Sequence, residues 1–136
     1  MKCAVIYWSG TGNTAAMAQA VAEGCGGEEF EVTAITPAQA AEYPALALGC
    51  PAMGAEVLEE ADFEPFFTAL EGSLSGKRLA LFGSYGWGDG QWMRDWQQRA
   101  QGAGAVLCAE PVIVNETPDD DGLNSCRELG KALAAE

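Results

Sequence analysis

Histidine is absent from the 136 residues, and with it go the commonest general base, the commonest metal ligand and every Ser-His or Cys-His pair. Hydrolytic and zinc chemistry are therefore not expected, and no metal site and no catalytic residue is assigned. Positive charge is scarce, with seven Lys and Arg against twenty Asp and Glu, a net charge of −13. Such a surface repels a nucleic-acid backbone and favours basic partners or cations. No apolar run approaches the roughly 20 residues of a membrane span, and the leading MKCAVIYW is too short for the apolar region and cleavage site of a signal peptide. A soluble, cytoplasmic protein without membrane contact is expected. The five cysteines, Cys3, Cys25, Cys50, Cys108 and Cys126, are odd in number, lack CxxC spacing and lie mostly in apolar segments, which reads as reduced thiols.

What is present is an alternation of short apolar runs and longer segments of helical period. Lys2 to Trp8, Phe30 to Ile35, Ala45 to Cys50, Leu79 to Gly83 and Ala105 to Val114 read as strands, the last interrupted by Pro111. Asn13 to Cys25, stopped by Gly26-Gly27, reads as a first helix. Phe63, Phe66, Phe67 and Leu70 recur at i, i+3, i+4 and i+7 and mark an amphipathic helix. Trp92, Met93 and Trp96 mark another, and Leu123, Cys126, Leu129 and Leu133 follow the acidic start Asp119-Asp120-Asp121. Pro37 to Glu42 is too short to assign as a helix.

Strict β-α alternation over this length predicts one α/β domain, residues 1–136, with a doubly wound five-stranded parallel sheet and helices on both faces. Strand order 2-1-3-4-5 is the natural arrangement. It places a ligand crevice at the carboxyl ends of strands 1 and 3.

Three loops open on that edge. Ser9-Gly10-Thr11-Gly12-Asn13-Thr14 joins strand 1 to the first helix and combines tight-turning glycines, hydroxyls and helix-end amides, a phosphate cradle without a cation. A Walker A loop needs a lysine, and no basic residue lies between Lys2 and Lys77. Gly10-x-Gly12-x-x-Ala15 also meets the loosest dinucleotide fingerprint, but a pyrophosphate needs bare backbone more than hydroxyls and the chain is short for a six-stranded nicotinamide domain. The loop by itself leaves several nucleotides open. The second loop is Cys50-Pro51-Ala52-Met53-Gly54-Ala55-Glu56. The third, Ser84-Tyr85-Gly86-Trp87-Gly88-Asp89-Gly90, alternates aromatics with glycine, a pattern suited to a flat, closely approached surface.

The runs YWSGTGNT, LGCPAMGAE and FGSYGWGDGQW, in this order and spacing, resemble the short-chain flavodoxins of anaerobes over essentially the whole chain. The resemblance implies a flavodoxin-like fold and non-covalently bound FMN held by the three loops. By it, Ser9, Thr11, Asn13 and Thr14, with the backbone of Gly10 and Gly12, bind the FMN phosphate. Met53 lies on the inner face of the ring and Trp87 on the outer, Glu56 accepts from the ring N3–H, and amides around Gly86 and Gly88 reach the pyrimidine oxygens; Ala55, Ser84 and Tyr85 complete the set. Some relatives carry a polar residue at Ala55 and serine at Pro51, positions that bear on potential rather than binding.

In the family, the peptide after Met53 turns over on reduction so that the Gly54 carbonyl meets the flavin N5–H, and a tight turn with glycine at its first central position permits this. The implied function is a low-potential one-electron carrier shuttling between semiquinone and hydroquinone, not an enzyme. Redox partners would dock by a basic patch, with Glu59, Glu60 and Asp62 flanking the flavin edge, and the carrier is expected to be a monomer. The rival is an FMN-dependent NAD(P)H reductase on the same fold, which needs a second pocket that these motifs do not supply. A phosphoacceptor domain is disfavoured because Ser9-Gly10 and Cys50-Pro51 stand where it needs carboxylates.

Overall fold

A computed structural model describes residues 2–135. The strands are β1 (Cys3–Tyr7), β2 (Glu28–Glu31), β3 (Ala45–Gly49), β4 (Arg78–Tyr85), β5 (Val106–Leu107) and β6 (Val112–Asn115), and the helices are α1 (Asn13–Cys25), α2 (Pro37–Ala41), α3 (Phe63–Leu70), α4 (Gln91–Gly102) and α5 (Asp120–Ala134). Every strand pairing is parallel, in the order β2-β1-β3-β4-β5, with β6 also on β4. The expected doubly wound order is therefore observed.

Successive side chains of a strand point to opposite faces, and here that alternation sorts residues by size. Ala4 and Ile6, Leu46 and Leu48, and Leu79 and Leu81 face the core shared with Phe63, Phe66, Phe67, Trp92 and Trp96. Cys3 and Val5, Ala45 and Ala47, and Ala80 and Phe82 face Met17, Val21, Cys126, Leu129 and Leu133 of α1 and α5. The smaller second set lets α1 and α5 sit close to the sheet, while the first accommodates the aromatic faces of α3 and α4.

Three local assignments differ from the sequence reading. The second strand is Glu28–Glu31, followed by a 3₁₀ turn at Val32–Ala34. Val32 and Ile35 are buried against α2 and α3 without being strand residues, so their hydrophobicity marks the core and not the ladder. Backbone pairing with Ala4–Tyr7 defines β2 instead, and its acidic side chains suit an edge strand. Pro37 to Ala41 does form a short helix, because Thr36 and Gln39 make a reciprocal capping box and Pro37 occupies the first turn.

The fifth position of the sheet is shared by two strands. β5 pairs with Arg78 and Leu79, and β6 pairs with Phe82 to Tyr85. Between them Pro111, which has no N–H to give, falls where the chain leaves the ladder. The split lets β6 run on to Asn115, beside the end of β4.

No disulfide joins cysteines among the described residues; Cys3, Cys50 and Cys126 are buried and Cys25 and Cys108 partly so. Burial pushes the Cys50 and Cys126 thiols up to about 12, which keeps both protonated and unreactive at neutral pH.

Candidate functional site

Strands β1, β3 and β4 end on one edge, and the loops that follow them enclose a cleft of about 270 Å³. Its walls bring together Gly10, Thr11, Asn13 and Thr14 of the first loop, Met53 of the second, and Ser84, Tyr85 and Gly86 of the third. Ser9 and Gly12 stand behind this lining. The Ser9 hydroxyl accepts from the N–H groups of Gly12 and Ala15 at 3.1 and 3.2 Å, folding the loop back on the helix start. Gly12 caps α1 in a left-handed conformation without a side-chain cap. The amides of Asn13 and Thr14 are in the first turn and have no helical carbonyl behind them, so they must be met from outside the helix. Thr14 is buried, and its hydroxyl shares a 3.1 Å hydrogen bond with Ser84, locking the first loop to the third.

Residues 53–57 form a closed turn in which Met53 and Val57 exchange both backbone hydrogen bonds, at 2.9 and 3.0 Å. The loop therefore holds three residues, one more than the two-residue turn expected. Gly54 has φ 43° and Glu56 φ 56°, the left-handed region that glycine enters freely and glutamate does not. This turn presents Met53 to the cleft and places Ala55 and Glu56 away from it. Glu56 lines a separate recess of about 120 Å³ with Val57, Trp92 and Trp96. Its carboxylate lies over Gly88, where an added Cβ would come within 2.2 Å of Oε1. That oxygen is buried without a hydrogen-bond donor.

Trp87 does not line the cleft either. It is 63% exposed, flanked by Gly86 and Gly88. Tyr85 is fixed by its ring contact with Trp92, 5.5 Å between centroids, and Trp92 in turn donates to the Cys50 carbonyl at 3.1 Å. The second and third loops thus hang from one buried indole.

Four cleft residues stand outside the expected binding set, Trp8, Pro51 and Ala52 within the quoted motifs and Glu116 outside them. Trp8 closes strand β1 immediately before the first loop, and its ring lies 3.0 Å from where a Gly10 Cβ would be, so its position in sequence was a usable signal. Glu116 follows β6, whose extension to this edge depends on the strand split described above.

Glu59 requires a correction. It is 7% exposed and accepts from the amides of Ala61, Asp62 and Phe63 at 2.8, 2.8 and 2.9 Å, capping α3 in place of Asp62. Burial raises its pKa, but these three donors outweigh that and hold it below the usual carboxylate value. It is a structural cap, not a docking charge. Glu60 and Asp62 remain exposed.

The flavodoxin family model matches residues 5–130. The chain belongs to the flavodoxin family. It is 46% identical over 135 residues to flavodoxin of Clostridium beijerinckii, covering 96% of this chain and 97% of that protein. It is 47% identical over 137 residues to flavodoxin of Megasphaera elsdenii, covering 96% of each. The solution structure of two-electron-reduced Megasphaera elsdenii flavodoxin superposes with a TM-score of 0.86 at 45% identity, over 97% of this chain and 98% of that one. Flavodoxins are FMN-binding electron-transfer proteins and not substrate-turnover enzymes. That is the function of this chain, and the reductase reading has no comparable support.

Proposed function

We propose that residues 1–136 act as one domain that holds FMN in the cleft and passes single electrons at low potential between redox proteins. One observation carries the reading: the open N-terminus of α1 and an apolar wall of Trp8, Met53 and Tyr85 face the same 270 Å³ space. An anionic group is favoured at the helix end, where unpaired amides and the helix dipole point outward. A flat ring is favoured by the wall.

In this assignment Ser9, Gly10, Thr11, Gly12, Asn13 and Thr14 hold the phosphate. Met53 and Trp87 flank the ring, which accounts for the exposure of Trp87 between glycines. Glu56 supplies the acceptor for a ring N–H, a reading supported by its buried oxygen without a donor. Gly86 and Gly88 offer amides, with Ser84, Tyr85, Gly54 and Ala55 shaping the two turns.

Bound FMN supplies reversible one-electron chemistry, and the chain sets its energetics. Gly54 stands at φ 43°, and glycine enters either sign of φ at little steric cost, so the peptide after it can turn over to offer its carbonyl to the ring. The apolar wall and a net charge of −13 both oppose added negative charge, which lowers the potential of the second step.

The exposed Glu60, Asp62, Asp89 and Glu116 suit a basic patch on a partner. No helix among the described residues is long and apolar enough to cross a membrane, and we place the carrier in the cytoplasm as a monomer. Titration of the cofactor-stripped chain with FMN, read by flavin fluorescence, tests the assignment. Saturation at one FMN per chain is expected; saturation that survives Trp87→Ala with an unaltered dissociation constant would move the ring elsewhere.

A further inference from the structure

Strand β6 ends on a residue pair that none of the three loop motifs contains. The Glu116 N–H donates to the Tyr85 carbonyl at 2.7 Å, and the Asn115 side-chain amide donates to the same oxygen at 3.2 Å. Two donors converge on the peptide that begins the loop of alternating aromatic and glycine residues. The first of these bonds joins a backbone whose φ is 59°, one of two non-glycine residues among those described that lie in the left-handed region. Glutamate has no local side-chain compensation for that conformation, which L residues rarely adopt. The turn persists because the surroundings hold it, and backbone strain of this kind gathers at ligand sites.

Further contacts point the same way. The far end of the loop also rests on β6, since a Cβ at Gly90 would lie 3.0 Å from Ile113 Cδ1. Glu116 itself lines the cleft with Thr14, Met53 and Tyr85. Residues 86–89 are exposed and contain two glycines; Arg94 holds the far end of the segment through the Asp89 carbonyl and carboxylate at 3.1 and 2.9 Å, and Asn115 and Glu116 hold the near end at Tyr85.

We propose that Asn115 and Glu116 are positioning residues of a fourth loop of the FMN site, a latch that holds the Tyr85–Gly90 segment in its binding conformation. This rests on the assignment of the cleft to FMN. Loss of the latch leaves the core intact and raises the fraction of time the Trp87 segment is open. The effect appears mainly in the rate of FMN release.

The test combines FMN dissociation constants with amide hydrogen exchange of the FMN-loaded chain. Asn115→Ala is expected to raise the dissociation constant about 3- to 10-fold, the scale of one hydrogen bond. It should also speed exchange at the Gly86 and Gly88 amides while β1 and β3 exchange as before. Gly72→Ala, exposed, outside the cleft and with nothing within 4 Å of an added Cβ, is the control whose dissociation constant should stay within about twofold of the parent. Glu116→Val, β-branched at a positive φ, should behave like Asn115→Ala.

A lowered unfolding midpoint in Asn115→Ala with unchanged FMN affinity and unchanged exchange at residues 86–88 would overturn the latch and leave a purely structural contact. Trp87→Ala separates the two levels. If it weakens FMN binding and Asn115→Ala does not, only the latch fails; if neither does, the cleft assignment fails.

Discussion

Single residues divide between those that meet the cofactor and those that keep the site in shape. By the proposed assignment Trp87 belongs to the first group. Its replacement by alanine removes a stacking surface worth roughly 1.5 kcal/mol, so the FMN dissociation constant should rise about tenfold, measurable by fluorescence titration. Gly54 sets the turn. Threonine there must adopt a φ of 43° with a branched side chain, at a cost of about 1–2 kcal/mol. A redox titration of Gly54→Thr should show the two one-electron steps drawn closer together; an unaltered separation would remove the Gly54 carbonyl from the mechanism.

Glu59 belongs to the second group. Its folded carboxyl is more acidic than the ordinary value of 4.5, so the stability it contributes is present above that pH and is lost as pH falls through the lower folded value. Glu59→Gln should cost about 1 kcal/mol at neutral pH. It should also flatten the acid limb of a urea-midpoint profile.

At the scale of elements, α1 and α5 approach so closely that their glycines are obligatory. A Cβ on Gly130 would lie 2.2 Å from the Val21 carbonyl, and one on Gly24 would lie 2.0 Å from the Arg127 carbonyl. Gly130→Ala should therefore lower the thermal midpoint by the equivalent of about 1–3 kcal/mol. Gly72→Ala, with nothing within 4 Å, should not.

Burial explains why part of the architecture was legible beforehand. Phe63, Phe66, Phe67 and Leu70 keep helical period because they bury one face, and every one of them is in the core. Ala45 to Gly49 is apolar throughout because both of its faces are covered. Edge elements carry weaker signals. β2 is mostly acidic and exposed, and its pairing lives in the backbone, where hydrophobic patterning is silent. β6 is legible only once the break at Pro111 is read as two strands instead of one interrupted strand.

Legibility of the site follows the same division. The first and third loops announce themselves through glycine, hydroxyl and aromatic residues, the types suited to close backbone approach and to ligand contact. Thr14 and Ser84 meet across 70 positions, which no local motif could indicate. Glu59 resembled a surface charge in sequence because its helix-capping role depends on the chain curling back over Ala61 to Phe63. Asn115 and Glu116 read as an ordinary strand end.

Over the whole molecule, charge is the dominant property. With twenty acidic residues against seven basic ones, the approach of a basic partner is accelerated at low salt and much less so once the Debye length shrinks to a few ångströms near 1 M. Neutralising Glu60 and Asp62 together should slow electron transfer to a basic haem protein several-fold at about 10 mM salt. At high salt the difference should disappear. Stopped-flow kinetics at both salt concentrations would check this, and a loss that persists at high salt would place those two carboxylates in the contact itself.

The central claim joins one cofactor, one cleft and single-electron steps. Absorption spectroscopy of the purified chain with FMN, followed through stepwise reduction at controlled potential, tests all three together. One FMN per chain and two resolved one-electron steps are expected, the second at the lower potential. A chain that remains colourless and fails to retain FMN, or that takes up both electrons in a single step, would contradict it.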